Sequence, residues 1–145
     1  GRSGQAGPRA GRARRGVCER ERGPGGGGRR GLRARKAVVL GSHRPGRRGK
    51  AVADWVYEQA AKRTDAQFEL VDVADFGLPL LDEPLQPSLG HYREEHTKAR
   101  AEAIGSFDGY VFVTEEYNHA VPAATINALD FLYREWNNKA AGVVS

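Results

Sequence analysis

A chain of 145 residues with 23 Lys and Arg against 18 Asp and Glu carries a net charge of +5, but that charge is unevenly spread. Residues 1–35 hold eleven Arg, eleven Gly and two acids, Glu19 and Glu21, so they carry +9 and the remaining 110 residues carry −4. The split removes overall basicity as evidence for nucleic-acid binding by the larger part, and the lone cysteine, Cys18, excludes disulfides, thiol catalysis and cysteine-held metals from it.

In chain order, residues 1–35 come first and cannot form a core. Val17 and Leu32 are nearly their only large apolar side chains, so nothing offsets the entropy of ordering them. They are expected to be a disordered Arg/Gly-rich leader, with residues 36–145 as the folded domain. An RNA-binding arm would interleave aromatics, yet no Phe, Tyr or Trp precedes Trp55. A secretory signal would need an apolar stretch, whereas a transit peptide stays open, because the segment is Arg-rich and acid-poor although Ser3 is its only serine. The chain contains no methionine, which leads to the expectation that the leader reflects the choice of gene boundary or upstream translation. No apolar run approaches the ~20 residues that span a bilayer, so the expected setting is soluble and cytoplasmic.

Residues 37–40 (AVVL) are β-formers that stop at Gly41 and read as a first strand. The loop to Gly49 (GSHRPGRRG) is polar, with Ser42, Arg44, Arg47 and Arg48, and a helical pattern follows with Val52, Val56 and Ala60 on one face. A strand running through such a loop into a helix gathers backbone N–H groups, a positive helix end and guanidinium groups at one point. That arrangement suits a phosphate; a solvated basic loop is the plain alternative. It is not a Walker A motif, because Arg47-Arg48 stands where Lys-Ser/Thr is required, and no G-x-G-x-x-G is present.

Residues 67–73 read as a second strand and residues 74–90 as a loop punctuated by Pro79, Pro84 and Pro87. Phe76, Leu78, Leu80, Leu81 and Leu85 predict that this loop packs down, with a pocket wall or partner surface as the other reading. Residues 91–106 are rich in helix formers, with weak amphipathy through Ala99, Ala103 and Ile104. Residues 108–114 (DGYVFVT) form a buried third strand, residues 115–121 a polar turn, and Pro122 sits where proline favours the first helical position. The helix then predicted covers residues 122–133, and residues 139–145 read as a fourth strand. Strands alternating with helices signal a doubly wound α/β parallel sheet, whose ligands bind beyond the carboxyl ends of the strands where their order reverses. The loops after strands one and three are the two most chemically distinctive in the chain.

Thr114-Glu115-Glu116-Tyr117-Asn118-His119, followed by Pro122 and by residues 127–131 (NALDF), resembles the NAD(P)H-dependent FMN reductase family of flavodoxin-like quinone and azo-dye reductases. The likeness extends to residues 41–49, to residues 78–84 (LPLLDEP) and to residues 135–145 (EWNNKAAGVVS), and so covers nearly all of residues 37–145. The resemblance implies a flavodoxin-like sheet with strand order 2-1-3-4, an FMN phosphate held by Ser42, Arg44, Arg47 and the backbone near Gly49, and Thr114, Glu115, Glu116, Tyr117 and Asn118 wrapping the ring and ribityl. It implies NADPH or NADH as donor, a small quinone, azo or flavin acceptor, and a homodimer or homotetramer. The family often has Pro at position 115, Ser at 120 and Leu-Lys at 125–126, so Glu115 would bring a carboxylate near the flavin unless it turns outward. The family's domain continues past position 145 with a further loop, a fifth strand and a helix. Their absence here would leave an exposed edge and an uncovered sheet face.

No catalytic side chain is expected, because in flavin chemistry the protein supplies position and electrostatics. His43, His91, His96 and His119 show no metal-ligand spacing, and Ser42 lacks the G-x-S-x-G elbow of a hydrolase. Asp72, Asp75, Asp82 and Glu83 suggest no hydrolytic carboxylate pair. Glu94, Glu95, Lys98, Arg100 and Glu102 read as a solvated helix face, and Trp55 and Trp136 as packing residues. The alternatives are an FMN-binding electron carrier without reductase activity, or an inactive fragment whose basic leader binds nucleic acid.

Overall fold

The computed structural model describes residues 33–145, so the expected leader lies outside the described residues except for its last three positions. Four strands, β1 (Ala34–Leu40), β2 (Ala66–Asp72), β3 (Gly109–Val113) and β4 (Ala140–Val144), form one parallel sheet in the order β2-β1-β3-β4. The helices are α1 (Gly49–Ala61), α2 (Glu95–Gly105) and α3 (Ala123–Asp130). The expected strand order and all seven elements are present. β1 begins three residues earlier than its apolar run because Arg35 and Lys36 still pair with Gln67 and Phe68 of β2.

β1 runs through the centre and is buried on both faces, which is why its sequence is a continuous apolar run. Ala37 and Val39 face one layer, with Ile104, Phe107, Tyr110, Ala128, Phe131 and Leu132. Val38 and Leu40 face the other, with Ala53 of α1 and Val113. Thus α1 covers one face, and α2 and α3 the other. β4 lies at one edge of the described sheet, with Val143 68% exposed.

Three expectations fail on packing. The seam of α1 is Gly49, Ala53 and Val56 rather than Val52, Val56 and Ala60: small residues let the helix approach the sheet closely, and Val52 is left exposed. Trp55 is 60% exposed on the outer side of that helix, so it is no packing residue, whereas Trp136 packs edge-on against Tyr110 at 5.0 Å. The 74–90 segment packs through Phe76 and Leu78, but Leu80, Leu81 and Leu85 are exposed and 3-10 turns occupy Val73–Phe76 and Pro87–Leu89.

Arg100 is the sharpest departure from the expected solvated face. It is 1% exposed on the inner side of α2, in line with Thr97 and Ile104. One nitrogen donates to the Ala128 carbonyl at 2.8 Å and the guanidinium lies over the Phe76 ring at 4.9 Å, but Nε and Nη1 have no partner among the described residues. Burial lowers its pKa from the ordinary arginine value to about 10. Replacing an incompletely paired buried charge by an apolar chain of similar length is commonly neutral or stabilising, by up to a few kcal/mol. Arg100→Met is therefore expected to keep or raise the midpoint of urea unfolding; a loss beyond about 1 kcal/mol would show that the guanidinium contacts outweigh its desolvation.

Candidate functional site

The site begins with register. Leu40 pairs with Asp72 of β2 and with Val113 of β3, and Val113 pairs with Val144 of β4, so all four strands end in one row. The segments that follow, at Gly41, Val73, Thr114 and Ser145, leave the sheet side by side. Two backbone bonds tie that row: the Gly41 N–H donates to the Val113 carbonyl at 2.9 Å, and the Thr114 N–H to the Val144 carbonyl at 3.0 Å.

Gly41 is needed for closeness. A Cβ there would drive into the Thr125 side chain, meeting its Oγ1 first and its Cγ2 at 3.2 Å. Thr125 is buried in the first turn of α3, and its hydroxyl donates to the Gly41 carbonyl at 2.9 Å. So the loop after β1 is pinned to α3. Pro122 precedes that helix, which starts at Ala123, rather than occupying its first turn.

Beyond Gly41, Ser42 is 1% exposed and its hydroxyl donates to Glu115 Oε1 across the row. Arg47 turns the other way. It forms a two-pronged ion pair with Asp72 of β2, Nη1 meeting Oδ1 at 2.8 Å and Nη2 meeting Oδ2, and it also donates to the Ser42 carbonyl. Arg44 and Arg48 are exposed. α1 starts at Gly49 without a side-chain cap and without an acid in its first turn, so its leading amides have no acceptor from their own helix. A Cβ on Gly49 would lie 3.3 Å from Leu40 Cδ1 and 3.4 Å from Ser42 Cβ, so the absence of a side chain lets the start of α1 lie close against the end of β1 and Ser42.

The loop after β3 closes the other side. Thr114 is buried and its hydroxyl donates to the Glu115 carbonyl at 3.1 Å. Tyr117 and Ala120 exchange both backbone bonds at 3.0 Å, around Asn118 and His119 with φ of 52° and 60°. That is the conformation of a tight primed turn, which Asn tolerates better than most residues. Tyr117 is partly exposed with its hydroxyl 3.4 Å from Glu115 Oε1, and exposed Glu116 faces His119 at 3.1 Å.

The structure thus gathers Ser42, Gly49, Thr114, Glu115 and Tyr117 at one place. It leaves Arg44, Glu116 and Asn118 on the rim and turns Arg47 toward β2. Glu115 turns inward, not outward. Two cavities flank the row. One of about 280 Å³ lies among Thr114, Glu115, Glu116, His119, Val121 and Val143. The other, about 270 Å³, lies among His43, Val73, Leu78, Leu80, Ala124 and Asn127. Asn127 braces the second by bonding the Pro79 carbonyl at 2.7 Å and the Leu81 N–H at 3.0 Å. Asp72, Thr125 and Asn127 were not anticipated as site residues; Asp72, at the carboxyl end of β2, was the one with a positional signal. No cluster of His, Cys, Asp and Glu able to hold a metal occurs among the described residues, and no described helix is long and apolar enough to cross a membrane.

Comparison with known proteins adds an independent line. Residues 35–145 match the family described as NADPH-dependent FMN reductase. An NAD(P)H-dependent FMN reductase from Schizosaccharomyces pombe is 44% identical over 74% of this chain and 55% of its own length. One from a Nectria species is 40% identical over 77% of this chain and 59% of its own. Among solved structures, a flavoenzyme NAD(P)H:(acceptor) oxidoreductase from Paracoccus denitrificans superposes with a TM-score of 0.59 at 25% identity, over 77% of this chain and 59% of its own. The chain therefore spans somewhat more than half the length of the relatives it matches.

The Gly41–Thr125 contact makes a testable pair. Gly41→Ala is expected to destabilise by roughly 2 kcal/mol or more, because the whole Thr125 side chain blocks the new methyl. In a Thr125→Ala background the same change should cost clearly less, a non-additivity read from urea unfolding of the four variants. Equal costs in both backgrounds would refute the proposed contact.

Proposed function

The chain belongs to the NADPH-dependent FMN reductase family, and from that premise we propose that it takes hydride from NADPH or NADH onto FMN and passes electrons to a small acceptor such as a quinone, an azo dye or a free flavin. The observation that carries the reading is the cradle at Gly49. A phosphate needs a point where amides, a hydroxyl and cations converge. Here that point has the uncapped α1 terminus, the Ser42 hydroxyl and the closeness that excludes a Cβ, with Arg44 and Arg48 at its rim. The residues present fit the group once the Glu115 carboxylate has moved off the Ser42 hydroxyl.

In this proposal Ser42, Gly49 and Arg44 hold the phosphate, and Arg47 orders the loop through Asp72 rather than reaching the ligand itself. Thr114 to Asn118 border the ring and ribityl, with Tyr117 as an apolar wall and the primed turn presenting its backbone. FMN would supply the hydride-accepting ring, so the chain needs no nucleophile or general base. Acting as a homodimer or homotetramer in the cytoplasm belongs to the same proposal; exposed Tyr117, Val121 and Ile126 beside the site offer apolar surface to a second subunit.

Flavin retention tests it. After addition of FMN and desalting, the protein is expected to keep about one flavin per chain, and anaerobic NADPH to bleach the bound flavin's visible absorbance. Gly49→Val should weaken FMN binding about tenfold or more, because the side chain would push against Leu40 and Ser42 and displace the loop that receives the phosphate. A colourless wild-type protein would overturn the reading. Retained flavin that NADPH leaves oxidised would instead support an electron carrier.

A further inference from the structure

At the amino end of α1 the chain brings up an anion of its own. Glu115 follows β3, 66 positions from Gly49 in sequence, yet its carboxyl carbon lies 3.7 Å from where a Gly49 Cβ would stand. Oε1 accepts from the fully buried Ser42 hydroxyl and has the Tyr117 hydroxyl at 3.4 Å. Oε2 is buried with no hydrogen-bond partner among the described residues. Arg47, the half-buried arginine of the loop after β1, is already paired with Asp72 at the end of β2. So one carboxylate lies within the cradle, engages its hydroxyl and leaves one oxygen unsatisfied beside a helix terminus that has no acid of its own.

We propose that Glu115 is an internal competitor for the cofactor's phosphate: its carboxylate holds the Ser42–Gly49 position until a phosphate displaces it, and it sets how strongly the site prefers a phosphorylated flavin over an unphosphorylated one. This rests on the flavin-site reading above. Two anions cannot share one hydroxyl and one helix end without mutual repulsion, so phosphate binding requires the Glu115 side chain to leave. The cradle is thereby satisfied in the ligand-free protein, and part of the phosphate's binding energy is spent on evicting the carboxylate. An unphosphorylated flavin placed along residues 114–118 leaves the Ser42–Glu115 bond intact and bears no such cost.

The test compares FMN with riboflavin on the full chain, by titration of flavin fluorescence, in wild type, Glu115→Gln and Glu115→Ala. Gln keeps size and hydrogen bonding and removes only the charge; Ala also empties the space. Both variants are expected to raise FMN affinity roughly tenfold, and at least about fivefold more than they change riboflavin affinity. Inorganic phosphate should compete with FMN at lower concentration in the variants than in wild type. Equal shifts for both flavins would mean a steric effect, and no shift would mean an outward Glu115; either overturns the competition. Weaker binding of both flavins with a lowered melting temperature would make Glu115 a structural brace and also overturn it. Failure of wild type and both variants to bind any flavin would instead fall on the flavin-site reading itself, and the inference with it.

Discussion

β1 touches every layer of this domain, and its double-sided burial is the constraint the other elements answer to. Val38 and Leu40 must be covered from one side, and Ala37 and Val39 from the other, so α1 has to cross to one face and α2 and α3 to the opposite one. A right-handed crossover on each side is the ordinary way to achieve that. Pairing β1 with both β2 and β3 in register then brings three strand ends level. The functional loops are neighbours because the hydrophobic core leaves them nowhere else to go.

The charges at that end are arranged by geometry more than by number. Three arginines crowd the loop after β1, yet the one best placed by sequence, Arg47, is spent on Asp72, while the exposed pair remains at the rim. The α1 terminus contributes partial positive charge without any side chain, and Glu115 answers it from the other loop. A loop already held by Arg47–Asp72 and Thr125–Gly41 loses little further freedom when it receives a ligand. Its preorganisation comes from contacts between segments distant in sequence.

Much of this was legible beforehand, for reasons that can be named. A strand buried on both faces leaves a run such as AVVL, and alternating strand and helix patterns restrict the sheet to few topologies. The two loops stood out because their composition differs from their surroundings, and the resemblance rested on those same residues. What escaped lies at the level of helix phase and side-chain direction. Arg100 reads as solvated by its charge, although its spacing from Thr97 and Ile104 puts it on the inner face. Val52 reads as core by its size, although Gly49 and Ala53 are what let α1 lie close. Leu80, at 84% exposure, shows that an apolar letter in a loop does not decide where the chain tucks in. Whether Glu115 points in or out is a rotamer choice, fixed by Ser42 and Tyr117 rather than by any pattern along the chain.

Asp72 carries a final implication. It ends β2, opposite Leu40, accepts from the Ala74 N–H to start the following turn, and clamps Arg47 with both oxygens. The segment that bears Ser42 thus gains its clamp only once a strand more than two dozen residues downstream has docked in parallel, with α1 folded over in between. Parallel pairing is non-local and its loop-closure entropy comes due before its contacts form. The cofactor cradle therefore follows the timetable of the sheet rather than that of its own short loop: a newly made chain would complete β1 and much of α1 well before it could present an anion site.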